Sequence, residues 1–238
     1  MSEVRNHVLR QLHEHDPQVY DKLVQELQPI PLHPGVQLSG REGSSEWVHF
    51  VESGVVSMVG ESRNGSSVEV ALVGREGVVG VADVLGTVPV PYRLTVQLPG
   101  LAYRARAEEI REHVFTCRAL HDPLLSYTQS LMTQLTQSVI CGRFHSAVER
   151  LARWLLLTAE RAETTSLPLT HETLAQMVGA PRSAVTVAAA ALRQGGLIDY
   201  QRGRIEIRNP PRLVHTACEC YRILSLNRTT EAGGAQRL

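Results

Sequence analysis

The sequence predicts an α+β chain in three parts: an N-terminal β-roll or jelly roll, a long apolar helix, and a C-terminal winged helix-turn-helix. Three observations carry this. Between Pro29 and about Arg106, short apolar runs alternate with Gly, Ser and Asn turns. From Leu125 to Gly142, apolar and small residues recur every three and four positions. From Thr170 to Ile207, a capped helix, a glycine turn, an alanine-rich helix and a basic hairpin follow one another. The expected division is 1–120 for the roll, 121–145 for the long helix and a hinge at Phe144-His145-Ser146, and 146–238 for the winged domain.

Residues 3–28 predict one or two short amphipathic helices anchored by Val8, Leu12, Val19, Leu23 and Leu27. The runs Val36–Leu38, Trp47–Val51, Val55–Val59, Val68–Val73, Val78–Val84, Leu94–Leu98 and Leu101–Ala105 predict seven or eight short strands. Gly40, Gly43, Gly54, Gly74, Gly86 and Pro99-Gly100 punctuate them, and Asn64-Gly65 is a hairpin signal. A helix opens at Ala107, and a longer one follows His121-Asp122-Pro123.

On that long helix Leu125, Thr128, Met132, Leu135, Val139 and Gly142 share one stripe, which fits a coiled-coil seam. Leu124, Tyr127 and Leu131 widen it, so the helix can pack on both its own barrel and a partner; an ordinary core helix is the competing reading. Ala147, Leu151, Trp154, Leu155 and Thr158 form one face of the next helix, which ends near Glu163-Thr164-Thr165. Pro210-Pro211 start a last helix through about Leu226, followed by a polar tail, Asn227–Leu238, expected to be disordered.

The stretch from Thr170 to Ile207 is the most informative. Thr170 suits an N-cap, Glu172 places negative charge in the first turn, and Leu174, Met177 and Val178 fall on one face. Gly179 ends that helix, and Pro181 suits the start of the next. The second helix runs to Gln194, stopped by Gly195-Gly196. It turns Val185, Ala189 and Leu192 inward and Arg182, Ser183, Thr186 and Arg193 outward. A helix that is alanine-rich inside and Arg/Ser/Thr outside is shaped for a DNA major groove. Gln201-Arg202-Gly203 joins two alternating strands into a hairpin, where Arg202 and Arg204 can grip phosphates.

Charge agrees with this placement. The chain of 238 residues has no net charge, but residues 1–145 hold 12 basic and 16 acidic side chains, and residues 146–238 hold 12 and 8. Only Lys22 is a lysine, so arginine must supply the phosphate contacts. No apolar run reaches the roughly 18 residues that span a bilayer, and the polar N-terminus lacks a signal peptide, so a cytoplasmic protein is expected. Cys117, Cys141, Cys218 and Cys220 show no zinc-site spacing. If Cys218 and Cys220 share a helix they point apart, so buried reduced thiols, with no metal and no cofactor, are the expectation.

A β-roll, a long apolar helix and a winged helix-turn-helix together resemble the Crp/Fnr family of bacterial transcription regulators. Val73-Gly74-Arg75-Glu76-Gly77-Val78-Val79-Gly80 is similar to the glycine turn before that family's phosphate-binding cassette. Phe144 to Leu157 resembles the first helix of its DNA-binding domain, and Thr170 to Arg182 with Gly195-Gly196-Leu197-Ile198 resembles its helix-turn-helix and wing entry. The resemblance implies a homodimer on a pseudo-palindromic operator, with double-stranded DNA, a second copy of the chain and RNA polymerase as partners and no catalytic residues. Arg182 then stands at the base-reading position, and Thr170, His171, Arg202 and Arg204 are candidate phosphate contacts. Ser183 and Val187 depart from the family's usual glutamate and second arginine, so the operator sequence does not carry over.

The implied effector pocket comprises Gly80, Val81, Arg93, Leu135 and Thr136. Cyclic-nucleotide binders in the family follow the turn glycine with a glutamate that holds the ribose; here Val81-Ala82 follows Gly80. Arg93 is either the phosphate arginine or a solvated strand-edge residue. The resemblance therefore implies no response to cAMP. Two alternatives stand beside it. One is a sensor of another nucleotide, such as a cyclic dinucleotide, held by Arg75, Arg93 and Arg104. The other is a cupin-like metal-dependent barrel enzyme built on His49 with Glu52 or Glu69.

Overall fold

In the computed structural model, residues 4–38, 46–63, 65–86, 88, 90–201 and 203–225 are described, His171 by its backbone only. Gly40, Gly43, Asn64, Arg202 and the tail Asn227–Leu238 lie outside the described residues. The chain divides into two compact units, 1–132 and 133–238. The expected boundaries at 120 and 145 bracket that division.

The first unit opens with α1 (His7–His15) and α2 (Pro17–Glu26), followed by β1 (Gln28–Leu32), β2 (Trp47–Glu61), β3 (Ser67–Val73), β4 (Val78–Val79), α3 (Val81–Leu85), β5 (Tyr92–Arg106) and α4 (Ala107–Thr116). Its sheet is antiparallel in the order β1-β5-β2-β3, with β4 paired to β2. Phe50, Val51, Val55, Val56, Val59, Leu72, Leu94, Val96 and Leu98 are buried along it.

Among the described residues the expected seven or eight short strands are five. Trp47–Val51 and Val55–Val59 fuse into β2, and Leu94–Leu98 and Leu101–Ala105 fuse into β5. Two of the glycines read as turns, Gly54 and Gly100, sit inside these strands. Gly54 takes φ +85°, and a Cβ there would stand 2.7 Å from the Pro99 carbonyl oxygen. A Cβ on Gly100 would run into the Ser53 carbonyl. The β2–β5 register shifts between Val51 and Val56, so these glycines mark bulges in a continuing ribbon.

Three further expectations change. The run Val78–Val84 is a two-residue strand and then α3, because Gly80, at φ +86°, redirects the chain. Periodicity alone does not separate short apolar helix from short strand. Val36–Leu38 lies along β5 without forming a named strand among the described residues: Gln37 bridges Thr95, the Leu38 amide donates to Leu94 O and the Val96 amide donates to Val36 O. β1 was not expected, since its Pro29 and Pro31 argue against a strand; it pairs only with β5, at the sheet edge where proline is tolerated. The hairpin between β2 and β3 is present, with Gly65 at φ +83°.

Asn6 ties α1 to this sheet. It is fully buried, its side chain donates to Val51 O at 3.0 Å and Gly77 O at 2.8 Å, and its Oδ1 accepts from the Val8 and Leu9 amides. The Arg5 and Asn6 amides donate to the buried Glu52 carboxylate. Glu69 accepts from Ser57 Oγ at 2.6 Å. Either carboxylate that the barrel-enzyme reading could use thus hydrogen-bonds within the fold. Among the described residues no metal-ligand group forms around His49.

The long helix α5 (Arg118–Phe144) begins six residues before the expected start at Leu124 and carries Pro123 inside it. Proline so near an N-terminus removes few intrahelical hydrogen bonds. Leu124, Tyr127 and Leu131 are buried, whereas Leu125, Met132 and Val139 are 45%, 64% and 74% exposed. Thr128 and Leu135 are half-buried.

In the second unit follow α6 (Ala147–Ala162), β6 (Ser166–Leu167), α7 (His171–Val178), α8 (Arg182–Gln194), β7 (Ile198–Gln201), β8 (Arg204–Ile207), α9 (Pro210–Thr216) and α10 (Cys220–Leu224). The single last helix expected from Pro210 is therefore two. Ala217, at φ −70° and ψ 153°, is extended and breaks it. Cys218 consequently lies ahead of α10, and the premise that it shares a helix with Cys220 fails. None of the described helices is long and apolar enough to cross a membrane.

Candidate nucleic-acid interface

The interface rests on α6. Ser146 and Glu149 form a capping box at its start, with the Ser146 amide donating to Glu149 Oε2 at 2.8 Å and the Glu149 amide donating to Ser146 Oγ at 3.4 Å. Leu151, Trp154, Leu155 and Thr158 are buried, as the sequence spacing requires. Glu163 closes the helix in the left-handed region at φ 52°.

Two short helices form on this support because each end is chemically marked. Thr170 caps α7, accepting from the Thr173 amide at 3.2 Å. Leu174, Met177 and Val178 face inward. Gly179, at φ 64°, donates back to the last α7 carbonyls and turns the chain. Pro181 occupies the N-cap of α8 rather than its first helical position. Val185, Ala188, Ala189 and Leu192 are buried along α8. Arg182, Ser183, Thr186, Val187 and Arg193 are exposed on the other side. Thr186 Oγ1 donates to Arg182 O, leaving its oxygen lone pairs outward.

The hairpin follows directly. Ile198 pairs with Ile207, Tyr200 with Ile205 and Gln201 with Arg204, and Gly203 takes φ 76° at the tip. A third strand, β6, pairs Leu167 with Ile205. Sequence reasoning missed it, since two residues carry no periodicity; Leu167 beside Pro168 was the only available signal.

The cations of this surface are not equivalent. Arg182 approaches Glu172 at 3.6 Å, both side chains largely exposed. Arg193 and Arg208 both reach Asp199, at 3.4 and 3.5 Å. The Tyr200 amide, then Arg193 and Arg208, hold the Asp199 carboxyl below its ordinary range. Arg204 instead bonds the neutral Ser166 Oγ at 3.0 Å, so its charge remains available to a phosphate. Arg208, not singled out from the sequence, is exposed beside the hairpin. His171 is the first residue of α7.

The other candidate residues fall into both units. In the first, Gly80 caps α3, Val81 is buried and Arg93 pairs with Glu61 across β2–β5 at 3.0 Å. Arg104 stacks on Trp47 at 4.1 Å and bonds Gln28 Oε1. Arg75 is half-buried. In the second unit, Leu135 is half-buried and Thr136 exposed.

Residues 149–216 match the Crp-like helix-turn-helix domain family. The chain superposes on FixK2 from Bradyrhizobium japonicum with a TM-score of 0.67 at 17% identity, covering 81% of this chain and 98% of that one. CLP from Xanthomonas campestris, described as a c-di-GMP-responsive global regulator, gives 0.67 at 14% identity over 81% and 99%. A CRP-family transcriptional regulator from Thermus thermophilus gives 0.62 at 17% identity over 80% and 96%. No curated protein matches this sequence.

Proposed function

From the Crp/Fnr-type transcription-regulator architecture of this chain, with its Crp-like helix-turn-helix domain, we propose that it acts in the cytoplasm as a homodimer, binding a two-fold symmetric operator and acting on RNA polymerase rather than catalysing a reaction. The observation that carries this is the outer face of α8. Arg182, Ser183 and Thr186 stand together in solvent, opposite the buried Val185, Ala188, Ala189 and Leu192. Such a helix enters the major groove by its N-terminal end. Arg182 is the base reader, donating to a guanine's O6 and N7. Thr170, His171, Arg202 and Arg204 contact the flanking phosphates.

The dimer seam is the exposed stripe Leu125, Met132 and Val139, with Thr128 and Leu135 beside it. An apolar stripe of this kind on a long helix is covered in a coiled coil. The regulator does not respond to cAMP. Val81 and Ala82 offer no carboxylate to a ribose, and Arg93 already lies in an ion pair with Glu61. CLP is c-di-GMP-responsive, but Arg93 and Arg104 are engaged within the roll here, which weighs against a cyclic-dinucleotide site on them.

Selection of bound duplexes from a random pool by the purified protein, at near-physiological salt, tests the reading. A symmetric site with half-sites about 34 Å apart is expected. Failure to enrich any sequence, with or without added nucleotides, overturns it.

A further inference from the structure

Cys141, His145, Cys218 and Cys220 stand together in the second unit, their ligand atoms all within 4.8 Å of one another. Cys141 and His145 are four residues apart at the end of α5, and the His145 amide still donates to Cys141 O, so both side chains leave one helical face. Cys218 and Cys220 approach from the turn between α9 and α10, where the Tyr221 amide donates to Cys218 O. The three thiols are buried.

The separations suit one tetrahedral ion. Zinc–sulfur bonds of about 2.3 Å place two sulfurs about 3.8 Å apart, and a zinc–nitrogen bond of about 2.0 Å places sulfur and nitrogen about 3.5 Å apart. Here Cys141 Sγ and Cys218 Sγ are 3.5 Å apart, and Cys220 Sγ and His145 Nδ1 are 3.7 Å apart. A multi-iron cluster needs its cysteine sulfurs spread more widely around the inorganic core. Two features outside the four ligands match a metal centre as well. His145 Nε2 bonds Glu219 Oε1 at 3.1 Å, which turns Nδ1 toward the sulfurs, as metal-ligating histidines are usually held by a carboxylate. Arg153 lies within electrostatic reach of all three thiols, a cation suited to a site of three thiolates, one imidazole and one divalent ion.

We propose that Cys141, His145, Cys218 and Cys220 form a structural Cys3His zinc site that clamps the end of the long helix to the C-terminal turn of the winged domain. Closed four-ligand sites of this type hold structure rather than perform chemistry. Ligand spacing in sequence hides the site, because the two halves lie 77 residues apart.

The test uses the full-length protein purified under reducing conditions. Elemental analysis should find about one zinc per chain. Cobalt(II) added to metal-free protein should give the intense visible bands of a tetrahedral centre with thiolate-to-cobalt charge transfer. Cys220→Ser should lower that charge transfer by roughly a third, since one of three thiolates is lost. Glu219→Gln keeps all four ligands and should weaken zinc affinity roughly 10- to 100-fold, a loss that a surface hydrogen bond alone would not cause. Folded wild-type protein, verified by circular dichroism, that takes up less than about a tenth of an ion overturns the proposal. So does a Cys141–Cys218 disulfide in protein purified with reductant, or iron with acid-labile sulfide in place of zinc.

Discussion

Replacing Arg182 with alanine should separate the proposed base reading from every other contribution to the proposed DNA binding. Arg182 opens α8 with its side chain 70% exposed, and Glu172, the carboxylate it approaches at 3.6 Å, is 83% exposed. An ion pair in that much solvent is worth about 0–1 kcal/mol, so releasing Arg182 to DNA costs little. A bidentate guanine contact is worth about 1–3 kcal/mol, so the contact wins. The substitution removes no buried group, and thermal stability should change by less than about 0.5 kcal/mol. The assay is a fluorescence-anisotropy titration of the selected duplex and of duplexes with the contacted guanine replaced in one half-site, at fixed salt. Wild type should prefer the guanine roughly 5- to 150-fold per half-site. Arg182→Ala should bind all these duplexes alike. Glu172→Gln should tighten binding on every duplex by at most about fivefold. A variant that keeps the guanine preference, or that loses the same affinity on every duplex, refutes the assignment.

Other expectations are independent of this one. Arg204→Ala should weaken all duplexes equally and make the salt dependence of binding shallower by about one unit in log K against log salt. Val139→Glu, placed on the exposed stripe of α5, should convert a dimer to monomer in sedimentation velocity; an unchanged mass would remove that stripe from the interface. Asn6→Ala should destabilise the roll by about 1–3 kcal/mol for each buried group left unpaired, read as a lowered melting transition. His49 is buried, and burial followed by the Arg104 guanidinium lowers its imidazole to about 4, so it folds neutral. The unfolded chain binds that proton below its ordinary value of 6.5, so stability falls as pH drops from 6.5 toward 4, by up to roughly 3 kcal/mol. His49→Gln should flatten that part of the denaturation-midpoint profile.

The winged domain was almost fully legible in the sequence because its signals are local. Thr170 as cap, Gly179 as turn, the inward Val185 and Leu192 and the hairpin at Gly203 each act within a few residues. The outward set Arg182, Ser183 and Thr186 follows from helical spacing alone. The roll was legible only as a class. Whether Gly54 and Gly100 turn the chain or let two strands cross closely depends on which strand lies opposite, and that pairing spans about fifty residues.

The sequence by itself determined the succession of a β-rich part, a long helix and a winged helix-turn-helix, the face of α8 that meets solvent, and the basic bias of the C-terminal half. Tertiary structure decided what no periodicity encodes: that Glu52 and Glu69 serve hydrogen bonds within the fold, that Arg93 is paired with Glu61, and that Cys141 and His145 meet Cys218 and Cys220. The physical reason is range. Caps, turns and amphipathic faces are set by neighbours three or four positions away, whereas an ion pair or a ligand set exists only once distant segments have been packed against each other.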